Sequence, residues 1–102
     1  MKIIFSKIAR LDLKNIVAYI KRDSVRYAEL EKKRIIDAIN KLPNQPLSTR
    51  IVPELDSEDL RELIFRNYRI IYKIASDKQI NILTIHHHAR LIGNNPAFKG
   101  EE

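Results

Sequence analysis

Apolar residues recur at helical spacing through the first half of the chain and at strand spacing through its last third. Residues 2–5 make a short apolar run, Ile3, Ile4 and Phe5 after Lys2, that reads as a strand. Ser6 stands where a hydroxyl can accept from the first backbone N–H groups of a helix. Ala9, Leu13, Ile16, Val17 and Ile20 then form one buried stripe, with Arg10, Lys14 and Lys21 pointing elsewhere. Asp23 and Ser24 interrupt the pattern, and either can cap a second helix whose buried side carries Ala28, Ile35, Ile39 and Leu42. Pro43 stops it, because proline cannot donate to the helix ladder. The short connection between the helices predicts an antiparallel hairpin.

Pro43 to Pro46 is a loop, and Ile51–Val52–Pro53 is at most a short edge piece. Three strands follow: Leu60 to Phe65, Tyr68 to Ala75 and Gln79 to His87. A tight turn at Arg66–Asn67, suited to the asparagine, joins the first two, and a turn around Ser76–Asp77–Lys78 joins the others. With the first strand added, the pattern predicts an α+β fold of β-α-α-β-β-β order. It is an antiparallel sheet with the N-terminal helical hairpin packed on one face. One domain is expected over residues 1–91. Residues 92–102, which hold Gly93, Pro96 and Gly100, read as a loosely docked tail.

Register in the last hairpin decides which side chains meet. Pairing Ile74 with Ile80, Tyr72 with Ile82 and Ile70 with Thr84 gives one mostly apolar face for the helices to cover. The other face then carries Lys73, Asn81, Ile71, Leu83, Arg69, Ile85 and His87. This register sets Arg69 across from Ile85 and beside His87, on the face without helices.

At 102 residues with 44% apolar content, the chain suits a single domain with a real core. Nineteen Lys and Arg against thirteen Asp and Glu leave a net charge of +6, which favours a polyanionic partner or serves solubility alone. There is no cysteine, so disulfide frameworks and zinc ribbons are excluded. The N-terminal apolar run is too short for a signal peptide, and no run approaches a membrane span. A cytoplasmic protein without membrane partners is expected.

Histidine moves protons near neutral pH, and arginine holds a phosphate by two parallel bonds. Arg69 with His87 could therefore cleave RNA. On the other reading Arg69 pairs with a carboxylate such as Glu62 on the neighbouring strand, and His87 is merely exposed. Strand alternation separates His87 from His86 and His88, which argues against a metal site; no cofactor is expected. Arg61, Arg66 and Arg90 are candidates for phosphate or target binding, or form an ordinary solvated rim.

The segments Val52-Pro-Glu-Leu, Leu60-Arg-Glu-Leu-Ile-Phe, Asn67-Tyr-Arg-Ile-Ile-Tyr-Lys-Ile and Ile82-Leu-Thr-Ile-His-His-His-Ala-Arg-Leu resemble, in order and spacing, the C-terminal half of the RelE/ParE toxins. Ala9, Asp12-Leu13 and Tyr19-Ile20 fit the first helix of that family. The resemblance runs from the first strand to about Leu91 and implies the same β-α-α-β-β-β fold. It also implies the toxin of a type II toxin–antitoxin pair, neutralised by a cognate antitoxin that covers basic surface. RelE-like members cut messenger RNA on the ribosome, and Arg69 matches their catalytic arginine, with His87 or His88 near a histidine position. The paired lysines of RelE are replaced here by the Arg61–Glu62–Leu63 region, and its late tyrosine is missing, with only Phe98 on offer. ParE-like members inhibit DNA gyrase. The Arg-Glu-Leu-Ile strand and the His-x-Ala-Arg ending, His87 to Arg90, resemble that branch more closely.

Overall fold

In a computed structural model describing residues 1–55, 57–87 and 97, strand β1 (Lys2–Phe5) passes at Ser6 into helix α1 (Lys7–Lys21). The Ser6 hydroxyl accepts from the Ala9 N–H at 3.0 Å, satisfying one donor that a helix start leaves open. Ser24, rather than Asp23, does the same for helix α2 (Val25–Asn40), accepting from the Tyr27 N–H at 3.1 Å. Pro43 sits in a single 3₁₀ turn, Leu42–Asn44, which ends the helical hairpin.

The sheet comprises β1, β2 (Arg50–Ile51), β3 (Leu60–Phe65), β4 (Tyr68–Ser76) and β5 (Gln79–His87), in the order β1-β5-β4-β3-β2. Strands β3, β4 and β5 form the expected antiparallel meander, and β2 extends it as a two-residue edge piece. The expected all-antiparallel sheet needs one correction, since β1 runs parallel to β5, from Lys2 beside Gln79 to Phe5 beside Ile82. No hairpin turn dictates the direction of this pair; two helices and the meander lie between its strands. The architecture is α+β with a mixed sheet.

The helices and one sheet face enclose the main core. Ala9, Ile35, Ile39 and Leu42 meet Ile70, Tyr72, Ile80, Ile82 and Ile85, with Leu13, Ile16, Phe5, Leu63, Phe65 and Tyr68 packed around them. Each isoleucine buried this fully contributes roughly 2–3 kcal/mol relative to exposure. The other sheet face holds a smaller cluster of Val52 and Ile71, with Leu55, Leu60 and Leu83 against it.

The β4–β5 register departs from the regular one. Ile74 lies opposite Ile80 and Tyr72 opposite Ile82, as the pattern predicts, but the pairing then shifts between Ile71 and Tyr72. Beyond the shift Ile70 faces Ile85, Arg69 faces His86 and Tyr68 faces His87. An extra residue in β5, a β-bulge, reverses the alternation from there to the strand end. Ile85 consequently joins the main core and does not lie on the helix-free face.

The start of α1 stabilises this irregular stretch. Ser6 donates its hydroxyl to the Leu83 carbonyl at 2.8 Å and its backbone N–H to the Ile82 carbonyl at 2.9 Å. One Asp12 carboxylate oxygen accepts from the Ile85 N–H at 3.0 Å and from the Thr84 hydroxyl. Backbone groups that regular pairing would have used are thus satisfied by side chains of the neighbouring layer.

Candidate functional site

On the helix-free face, β3 and β4 bring a set of charged side chains together. Glu62 of β3 lies across from Arg50 of β2 and from Ile71 of β4, and its side chain is completely buried. Arg69, two residues before Ile71, projects on the same side and is 6% exposed. Its Nε donates to Glu62 Oε2 at 2.7 Å, and one terminal nitrogen also bonds that oxygen. The opposite Glu62 oxygen takes the Arg50 Nε.

A second carboxylate closes the other side of the guanidinium. Arg69 donates from Nη1 to Glu54 Oε2 at 2.7 Å and from Nη2 to Glu54 Oε1 at 2.9 Å, a parallel two-bond pair. These bonds hold the Glu54 carboxyl down at about 2, below its ordinary value of 4.5. The Arg69 guanidinium is raised above its ordinary value by the same Glu54 bonds, and further by Glu62. Arg69 thus sits in a pair with Glu62, one of the two readings its position allowed, and in a second pair with Glu54 that sequence pattern did not suggest. Glu54 lies in the segment between β2 and β3, where no periodicity marks a buried partner.

The expected pairing of Arg69 with His87 on one face is not what the fold produces. The bulge puts His86 opposite Arg69, and His86 is 3% exposed. His87 instead lies opposite Tyr68, whose ring it meets edge-on at 5.9 Å. His87 therefore belongs to the helix side, where it lines a groove of about 790 Å³ with Asp12, Asn15, Tyr19, Asn67 and Tyr68. Burial, followed by the charge of nearby Glu31, raises the Tyr68 hydroxyl above its ordinary value.

The expected cationic cluster around Arg69 is also dispersed. Arg61 alternates away from Glu62 and lies across from Tyr72, donating to the Thr49 carbonyl at 3.0 Å and the Glu58 carbonyl at 3.2 Å. Arg66, at the other end of β3, reaches helix α2, with Nη1 3.4 Å from Glu31 Oε2 and 3.5 Å from the Tyr27 hydroxyl. It is also the residue of the β3–β4 turn with a left-handed backbone, φ 55°, a role expected for Asn67. His88 and Arg90 lie outside the described residues, as does the expected tail apart from Ala97. Arg50, which no pattern marked, is the cation beside Arg69.

The two regions can do different things. The Arg50–Glu62–Arg69–Glu54 cluster balances its own charges, and both edges of the Arg69 guanidinium are taken by carboxylates. The groove brings polar and aromatic side chains to the junction of α1 with the sheet and fits contact with a protein or peptide. Among the described residues no group of three His, Cys, Asp or Glu side chains is placed to hold a metal ion. No helix among them is long and apolar enough to cross a membrane.

Residues 3–92 match the model of the ParE toxin family, described as the ParE toxin of the type II toxin–antitoxin system parDE. No curated protein sequence matches. A solved structure of the chromosomal ParDE toxin–antitoxin system from P. aeruginosa is similar in fold. Its TM-score is 0.71 at 19% sequence identity, over 85% of this chain and 95% of that one.

Proposed function

The chain belongs to the ParE toxin family of type II toxin–antitoxin systems, and on that premise we propose that it halts growth by binding and inhibiting DNA gyrase. A cognate antitoxin protein is its partner in the resting state.

The observation that carries this reading is the closure of Arg69. Cleavage of RNA would need that arginine to meet a phosphate while a nearby histidine moves a proton. Its terminal nitrogens are instead engaged by Glu54 and its Nε by Glu62, His87 is set on the opposite side of the sheet, and His86, across from Arg69, is buried at 3% exposure. A toxin that acts by occupying a protein target needs neither arrangement, only a surface of the right shape. The groove beside α1 and the positive net charge supply such a surface.

Purified chain added to gyrase should abolish supercoiling of relaxed plasmid, and prior addition of the cognate antitoxin should restore it. The same chain added to translating ribosomes should leave messenger RNA intact. Unimpaired supercoiling together with cut messenger would reverse the assignment in favour of a ribosome-dependent endonuclease. Arg69→Ala would then be expected to abolish the cutting.

A further inference from the structure

We propose that Asp12 is the positioning residue of the groove beside α1. By holding the bulge in β5 it decides that Ile85 and His87, and not Thr84 and His86, face that groove. Its functional consequence rests on the groove being the surface that meets a protein target.

Two registers compete at the end of β5. Tyr72 lies opposite Ile82 and Ile71 opposite Thr84, so Leu83 is the extra residue. A shift of one residue exchanges the two faces of a strand. Leu83, Thr84 and Ile85 carry no alternation that fixes the choice. Continuous pairing beyond Ile82 would set Ile85 opposite Arg69 and His86 opposite Tyr68. The fold instead sets Ile85 opposite Ile70 and His87 opposite Tyr68.

The choice is made from α1. The Ser6 hydroxyl donates to the Leu83 carbonyl at 2.8 Å, but it also accepts from the Ala9 N–H as the helix cap. Asp12 serves β5 more directly. One of its oxygens accepts both from the Ile85 N–H at 3.0 Å and from the Thr84 hydroxyl. In a regular ladder an N–H lies in the sheet plane and points at a neighbouring strand. A bond from the Ile85 N–H to a helix above the sheet therefore belongs to the bulged register. Without its acceptor that N–H is left unsatisfied, a costly state that tips β5 towards continuous pairing.

The groove feels the difference directly. Asp12, Asn15 and Tyr19 of α1 line it together with Tyr68, Ile85 and His87 of the sheet. In the bulged register Ile85 supplies apolar surface and His87 meets the Tyr68 ring edge-on. The continuous register would put Thr84 and His86 in those places and send His87 to the face of Arg69. An imidazole would remain but the isoleucine would be lost, so a target fitted to one register misfits the other.

The test follows the Tyr68 ring contact by NMR in the whole chain. Asp12→Ala should move the contact from His87 to His86 and speed exchange of the Ile85 N–H on the order of tenfold or more. Asp12→Asn, whose amide carbonyl can accept both bonds, should keep it on His87. Deletion of Leu83 removes the extra residue and makes the observed pairing continuous, so Asp12→Ala in that background should leave the contact on His87. Gyrase should bind Asp12→Ala about tenfold more weakly than the wild type, with no such loss when Leu83 is deleted. A contact that stays on His87 in Asp12→Ala, or that is lost equally with Leu83 deleted, would overturn the proposal. If Asp12→Ala alone fails to fold, recovery of a folded chain with the His87 contact on deletion of Leu83 upholds it, and no recovery overturns it. A wild type that leaves gyrase unbound would sink the gyrase reading, while the ring contacts still decide the role of Asp12.

Discussion

The two faces of the sheet are stabilised by different physics. Under the helices Ile35, Ile39, Ile70, Ile80 and Ile82 are fully buried against one another and gain from area removed from water, whatever their mutual angles. On the other face the apolar cluster is small, and a chain of directed bonds runs from Arg50 through Glu62 and Arg69 to Glu54. An apolar face loses stability in proportion to the atoms removed. A charged network tolerates joint replacement better than single deletion, because one deletion strands the remaining buried charge. The contrast separates a face held by buried area from a face held by directed pairing.

The largest expected effect breaks the charged face. Arg69→Ala leaves Glu62 fully buried beside a single half-exposed arginine, and should cost about 3–5 kcal/mol in urea denaturation. The joint change Arg69→Met with Glu62→Leu should recover much of that loss, since Arg50 and Glu54 can return to water. If the double variant is no more stable than Arg69→Ala, the two faces do not differ in the way described. On the helix-covered face Ile82→Ala should cost about 3 kcal/mol, with no apolar partner change able to recover it by charge balance.

The smallest effect concerns pH and Glu54, whose exposure lets water screen it. Its carboxyl is lowered in the folded state from 4.5 to about 2. Its contribution is therefore complete above about pH 4.5 and is lost as pH falls towards about 2. Urea midpoints measured across that window should fall less steeply for Glu54→Gln than for the wild type. Parallel curves would show that the Glu54–Arg69 pair contributes nothing to the charged face.

Much of this arrangement was legible in residue pattern. Both helices follow from the stripe of Ala9, Leu13 and Ile16 and from Ala28, Ile35 and Ile39, because burial on one face imposes a helical period. The meander follows from alternation and turn residues, and Glu62 was visible as a neighbour of Arg69 from strand adjacency. The bulge was not, because Asn81 to His86 contains Leu83, Thr84 and Ile85 in a row, which suit either alternation. That single ambiguity moved Ile85 and His87 to the helix side and set His86 opposite Arg69. Glu54 and Arg50 were hidden for another reason: irregular segments and two-residue strands carry too few positions to show a period.

The place of β1 in the sheet also governs when the molecule can exist at all. Its neighbour is β5, so Lys2 finds its strand partner at Gln79. A ribosome adding roughly 5–20 residues per second makes β1 seconds before the strand that will hold it. Until then the isoleucines of the N-terminal strand and the start of α1 lack the surface that orders them, and closure of such distant pairings is slow. A partial product therefore carries no finished sheet and no finished groove. The folded surface exists only in chains that already carry β5.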